Sequence, residues 1–199
     1  MNGQTQNREL MRMARETLHN RWGMCACAAL IYGVVLIVPQ MIPVVGDIAC
    51  VILAGPMLLG FVIFALALVR GSAVRISDIF SGLRYFWKAI GTYLLITVFI
   101  ALWSLLLIIP GIIASYAYAM TFYIIADHPT IRITQAIAES RAMMRGHKWK
   151  FCCLGCWFIG WGLLSVLTFG IGFLWLVPYM QTTMAHFYED IRPKEELNR

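Results

Sequence analysis

Charge is scarce in this chain, and long stretches of it have no basic residue at all. Only 13% of the 199 residues are charged, and 60% are hydrophobic. The Lys and Arg residues all lie in four stretches, which are separated by long apolar segments: 8–21, 70–88, 132–150 and 192–199. A soluble domain of this size cannot bury so much apolar surface, whereas a lipid bilayer accepts it. The sequence therefore predicts an integral membrane protein.

The sequence also lacks the features of nucleic-acid binding, of a disulfide framework and of a cofactor site. No aromatic and basic platform lies outside the membrane-proximal stretches, so the net charge of +6 predicts anionic lipid headgroups as partners and no nucleic acid. Five of the six Cys residues fall at predicted cytoplasmic ends of spans, a reducing location. We interpret them as small apolar helix residues, because no second cluster supplies metal ligands. No cofactor is predicted.

Six apolar segments predict an all-α, polytopic fold in a single domain, residues 1–199. The predicted spans are about 22–42, 48–69, 89–109, 111–126, 151–167 and 170–188. Basic residues stay on the cytoplasmic face, so both termini are predicted inside. Pro110–Gly111 is predicted to form an outer turn. Pro56 is predicted to kink the second span and Pro178 to break the sixth.

Two inner loops resemble each other without a gap. Residues 74–84 align with 131–141, so that Arg75 matches Arg132 and Arg84 matches Arg141. Ser77 and Thr134 are predicted helix N-caps, and the apolar residues that follow at helical spacing predict amphipathic helices in the plane of the interface. The match favours an internal repeat of one such helix plus a two-span hairpin. The alternative is that basic amphipathic loops before a span resemble one another without duplication. Whether residues 8–21 are a third copy of the repeat is left open by the sequence.

The basic inner rim carries the leading functional hypothesis, which is a non-enzymatic protein that engages anionic lipid or a membrane partner. A homo-oligomer stays open as well. Topology determination alone is the competing interpretation of the same cations. The candidate headgroup contacts are Arg75, Arg84, Arg132, Arg141 and Lys148.

Polar residues in the fourth and sixth spans support a second hypothesis, a small transporter or lipid translocator built around Pro56 and Pro178. Hydrogen bonding between helices explains the same residues, and no charged residue lies deep in a span to carry an ion. The cluster comprises Tyr116, Tyr118, Tyr123, Gln181, Thr182, Thr183 and His186.

An enzyme at the inner membrane edge is the third hypothesis. Carboxylates and imidazoles are the groups that a metal or a general acid or base requires, although ordinary helix ends explain them equally well. The residues concerned, together with neighbouring tyrosines, are Tyr123, Asp127, His128, His186, Tyr188, Glu189 and Asp190.

An ordered set of short motifs resembles a known family. The set comprises Pro110-Gly-Ile-Ile113, Asp127-His-Pro129, Ala136, Ser140, Met143-Met144-x-Gly146-x-Lys148, Phe158-Ile-Gly-Trp161, Pro178–Tyr179 and Phe187–Tyr188. It resembles the bacterial six-span membrane proteins catalogued as domain-of-unknown-function family 975. That family is distantly similar to the membrane region of some glycerophosphodiester phosphodiesterases. The resemblance implies a protein of the bacterial cytoplasmic (inner) membrane without an established activity, and it supplies no functional residues.

Overall fold

The computed structural model describes residues 5–19, 21–42, 45–168 and 170–192, and this part of the chain is helical with no strand. Two 3₁₀ helices, Val38–Met41 and Ile76–Tyr85, lie between α-helices. The α-helices are α1 (Asn7–Leu18), α2 (Trp22–Ile37), α3 (Val45–Val69), α4 (Phe86–Leu106), α5 (Ile108–Tyr118), α6 (Thr121–Asp127), α7 (Ile133–Met143), α8 (Lys148–Leu167) and α9 (Phe173–Ile191).

Four helical segments in the described ranges are long and apolar enough to cross a membrane. They are Trp22–Met41, Gly46–Val69, Ile76–Leu106 and Lys148–Leu167. Large apolar side chains on all four of them are exposed, such as Val98 on α4 and Leu163 on α8. A bilayer covers such a surface without cost, whereas water does not.

Helix α3 is the centre of the bundle, since it packs against α4, α6, α9 and the 3₁₀ helix Ile76–Tyr85. Glycines allow this close packing. A Cβ on Gly60 would collide with the backbone carbonyl of Ile79, and one on Gly82 with that of Pro56. Small residues at a helix contact let two backbones approach, as is common in membrane bundles.

The turn between α4 and α5 differs from the sequence prediction. Leu107 is the extended residue that separates the two helices, with φ −163° and ψ 140°, and Pro110 and Gly111 both lie inside α5. The prediction of a Pro110–Gly111 turn was wrong, because proline fits the first turn of a helix, where its missing N–H costs nothing. Gly111 instead packs against Ser104 of α4.

Two further predictions about helix continuity were wrong. The segment 111–126 is not one helix, since α5 ends at Tyr118 and α6 begins at Thr121. Helix α9 continues through Pro178 without a break. Pro56 likewise lies within a continuous α3.

The two aligned inner loops both form helices, but not from the predicted N-caps. The 3₁₀ helix begins at Ile76, after Arg75, and α7 begins at Ile133, after Arg132. The Arg75 backbone N–H donates to an Asp78 carboxylate oxygen at 2.8 Å, so an acidic side chain in the first turn satisfies the N–H of the N-cap residue. Both helices nevertheless begin one residue after the aligned arginines.

Candidate functional site

Three cations meet beside the α4–α5 hairpin. Arg141 lies in the last turn of α7, Arg145 in the following turn and Lys148 at the first residue of α8. Gly146 turns the chain between them with φ +85°, a conformation that other residues adopt only with strain. The short connection between α7 and α8 therefore brings the three side chains to one place.

These cations form one side of a groove of about 260 Å³, which we call the basic groove. The rest of its lining comes from α4 and α5 and is largely apolar. These residues are Trp103, Pro110, Ile113, Ala114, Ala117 and Tyr118. A polar rim above an apolar slot matches the form of an amphiphile with a headgroup and a chain.

Helix α7 is held against α5 by a buried hydrogen bond. Ser140 is fully buried, and its hydroxyl donates to the Ala117 carbonyl oxygen at 2.8 Å. The contact explains why a serine interrupts the apolar stripe of this helix. It also places the Arg141 guanidinium 5.9 Å from the centre of the Tyr118 ring, a cation–π distance.

The cations of the basic groove have no carboxylate partner among the residues that the structure describes. The nearest acidic residue in sequence, Glu139, accepts a hydrogen bond from Gln135 instead. Like charges held together without a counter-charge attract anions.

The five predicted headgroup contacts divide between this groove and other places. Arg141 and Lys148 line the basic groove, whereas Arg75, Arg84 and Arg132 do not. Arg145 was missed as a candidate. Its position in the same basic stretch, four residues after Arg141, was the available signal.

The members of the predicted intramembrane cluster make separate contacts. The Tyr123 hydroxyl donates to Gln181 Oε1 at 3.0 Å and the Tyr116 hydroxyl to Cys152 Sγ at 3.8 Å. His186 Nε2 lies 3.0 Å from the Thr17 hydroxyl. The remaining members are Thr182 and Thr183, which donate to carbonyl oxygens of their own helix, and Tyr118, which faces Arg141.

A small cavity of about 150 Å³ lies beside two members of this cluster, Tyr123 and Gln181. Neither Pro56 nor Pro178 lines it. The hydrogen bonds of the cluster members thus either join neighbouring helices or stay within one helix, as polar side chains in membrane bundles commonly do.

The acidic residues considered for an enzyme site form ion pairs. Asp127 binds Arg70 at 2.7 Å and Arg192 at 3.1 Å, and it accepts a hydrogen bond from the Tyr188 hydroxyl at 2.9 Å. Glu189 binds the same Arg70 at 2.6 Å. We call these five residues the Asp127 cluster. No group of His, Cys, Asp and Glu in the described ranges is arranged to hold a metal ion.

The charge balance of the Asp127 cluster keeps its central carboxylate ionised. Burial of Asp127 alone raises its pKa, but the hydrogen bonds and charges of Arg70, with help from Tyr188 and Arg192, hold the pKa below its usual value. Nearby, Lys150 binds Asp190 at 2.8 Å. The remaining predicted residue, His128, caps the end of α6.

Arg70 was missed by sequence reasoning, although a signal was present. Arg70, Asp127 and Glu189 each follow or close an apolar segment whose end was predicted on the cytoplasmic side. Opposite charges at three neighbouring helix ends predict ion pairs between them.

Comparison with known proteins gives a family and no function. No curated protein and no solved structure matches the chain, and the distant similarity to glycerophosphodiester phosphodiesterases is not shown. A family model described as protein of unknown function (DUF975) matches residues 1–114 and 105–195. The chain therefore belongs to this family of unknown function.

Proposed function

We propose that this protein is a non-enzymatic, multi-pass protein of the bacterial cytoplasmic membrane that binds anionic phospholipid in the basic groove. The observation that carries the proposal is the position of Arg141, Arg145 and Lys148 on the rim of an apolar slot. A phosphate group would accept charge-assisted hydrogen bonds from the rim, and an acyl chain would lie along α4 and α5.

The proposed topology has six spans with both termini inside. Helices α5 and α6 together cover 108–127, and α9 covers Phe173–Ile191. At the helical rise α9 is about 28 Å long, close to the ~30 Å hydrocarbon core of a bilayer, and α5 and α6 with the turn between them form the remaining span of this proposal. The equivalent helix starts after Arg75 and Arg132 support the proposed internal repeat.

Cysteine labelling in intact cells tests the topology. A cysteine at Thr168, in a background without native cysteines, should react with a membrane-impermeant thiol reagent added outside. A cysteine at Ser72 should react only after permeabilisation. Labelling of Ser72→Cys from outside would overturn the proposed orientation.

Native mass spectrometry tests lipid binding. Protein released in mild detergent should retain phosphatidylglycerol, and a variant with Arg141→Gln, Arg145→Gln and Lys148→Gln should lose it. At about 1 kcal/mol for each cation near an anionic surface, affinity should fall on the order of a hundredfold.

A charge-matched control separates the groove from general electrostatics. The variant with Arg75→Gln, Arg84→Gln and Arg132→Gln also removes three cations, none of which lines the groove. It should retain the lipid. Equal loss in both variants would show that net charge, and not the groove, holds the lipid.

A transporter has less support in these contacts. Tyr123 and Gln181 line the 150 Å³ cavity, but they are also hydrogen-bonded to each other. Gln181→Leu should leave lipid retention unchanged, and loss of solute flux in vesicles would favour transport.

A further inference from the structure

A second groove, of about 310 Å³, lies between the α1–α2 segment and the α8–α9 hairpin. We call it the tryptophan groove, because four of the seven tryptophans of the chain line it: Trp22, Trp157, Trp161 and Trp175. It shares no lining residue with the basic groove.

The tryptophan groove is long, apolar and open on one side. It follows α8 from Trp157 to Thr168, about 16 Å at the helical rise. Trp157, Trp161 and Trp175 are each about half exposed (51%, 47% and 49%), whereas Leu176 is buried. An acyl chain in the bilayer could therefore enter from the side.

Among the lining residues of the tryptophan groove, Arg15 carries a charge. Arg15 lies on the exposed face of α1 and lines the groove together with Tyr179 of α9. The Tyr179 hydroxyl donates to the Met11 carbonyl oxygen at 3.3 Å. No carboxylate among the described residues forms an ion pair with Arg15, in contrast to Arg12, which binds Glu16 at 3.4 Å. Since a guanidinium has five donors, Arg15 retains the capacity to bind an anion.

We propose that the tryptophan groove binds a long-chain fatty acid, with its carboxylate on Arg15 and its chain along the tryptophans. A guanidinium matches a carboxylate in a two-point contact, and one cation balances one negative charge. The volume is at the low end for ligand pockets, which favours a single chain over a two-chain phospholipid. The three cations of the basic groove suit a phosphate better.

Quenching of tryptophan fluorescence tests this proposal on the full chain in phosphatidylcholine nanodiscs. The probe is 9,10-dibromostearic acid, whose bromines quench nearby indoles. We expect saturable quenching that unbrominated stearic acid reverses. Arg15→Gln should weaken binding by at least about tenfold, because it removes both charge-assisted hydrogen bonds of the two-point contact. Arg15→Lys keeps the charge but loses the two-point contact, so its affinity for the fatty acid should lie between those of the wild type and Arg15→Gln.

Arg12→Gln is the matched control, because it removes a cation from the same helix that does not line the groove. Arg12→Gln should bind the fatty acid as the wild type does. The triple variant of the basic groove should also bind it normally, so this test can succeed or fail independently of the proposed function. Quenching that does not saturate would overturn the proposal, and so would quenching of Arg15→Gln that equals that of the wild type. So would a dimer that covers the tryptophans, or quenching by brominated phosphatidylcholine that stearic acid cannot displace.

Discussion

Asp127→Asn should destabilise the protein more than any other single loss of charge among the described residues. The Asp127 side chain is only 4% exposed and accepts from Arg70, Arg192 and Tyr188. After substitution Arg70 keeps Glu189, but Arg192, itself 13% exposed, loses the partner at 3.1 Å.

The size of this effect follows from burial. Breaking a buried ion pair by removing one partner costs about 3–5 kcal/mol. Arg70 is 38% exposed, so solvent screens its share, and we expect a loss of about 2–4 kcal/mol in the free energy of unfolding.

Unfolding in mixed micelles with increasing dodecyl sulfate, followed by circular dichroism, measures this loss. Glu139→Gln is the control, since that carboxylate makes only an exposed hydrogen bond to Gln135, and it should change stability by less than about 0.5 kcal/mol. A double-mutant cycle with Arg70→Gln should show that the two losses are not additive. Unfolding of Asp127→Asn at the wild-type midpoint would refute the reasoning.

The pH dependence follows from the same group. The folded-state pKa of Asp127 is lowered, so its contribution to stability is present above the unfolded value of about 3.9 and is lost as the pH falls through the folded value. The stability difference between wild type and Asp127→Asn should therefore be constant near neutral pH and shrink in acid below about pH 4. A difference that grows in acid would contradict the assigned sign.

Three smaller predictions concern packing and can be measured by the same unfolding titration. Gly60→Ala should lower the free energy of unfolding by about 1–3 kcal/mol, because the new Cβ meets the Ile79 backbone. Gly155→Ala, whose Cβ meets nothing within 4 Å, is the control and should be neutral or slightly stabilising. Equal changes in stability for the two variants would contradict the close packing. Ser140→Ala should lower the free energy of unfolding by about 1 kcal/mol, because it removes the hydrogen bond to Ala117. The variant should also retain less lipid. Unchanged lipid retention in a destabilised variant would show that this hydrogen bond does not position Arg141. Gly146→Ala should cost about 1–2 kcal/mol because of its φ of +85°, and Gly23→Ala, with open space around it, is the control.

Hydropathy and charge predict the helical class well because both are local properties of the chain. Four of the six predicted spans fall in described helical segments that are long and apolar enough to cross a membrane. Helix ends were harder to predict, since they depend on tertiary contacts. The α4–α5 turn at Leu107 is set by packing of Gly111 on Ser104, which a Pro-Gly pattern does not reveal.

The candidate site was predicted only in part, for a related reason. Arg141 and Lys148 were found from the basic stretch, but nothing in the linear pattern separates them from Arg84 or Arg132. Arg141 is brought to the groove by the packing of α7 on α5, where the Ser140 hydroxyl donates to the Ala117 carbonyl oxygen. This contact joins residues far apart in sequence, so the linear pattern does not reveal it. The Asp127 cluster likewise joins three distant helix ends, although the predicted topology placed those ends on one side.

Photocrosslinking with a phosphatidylglycerol that carries a photoreactive group near the headgroup end of one acyl chain tests the central claim most directly. After irradiation in vesicles and digestion, the basic groove predicts labels on its lining, at Trp103, Ile113 and Tyr118. The label should be lost in the triple variant of Arg141, Arg145 and Lys148, and kept in that of Arg75, Arg84 and Arg132. Labels spread evenly over the exposed apolar faces of α4 and α8, unchanged in both variants, would contradict a lipid site in this groove.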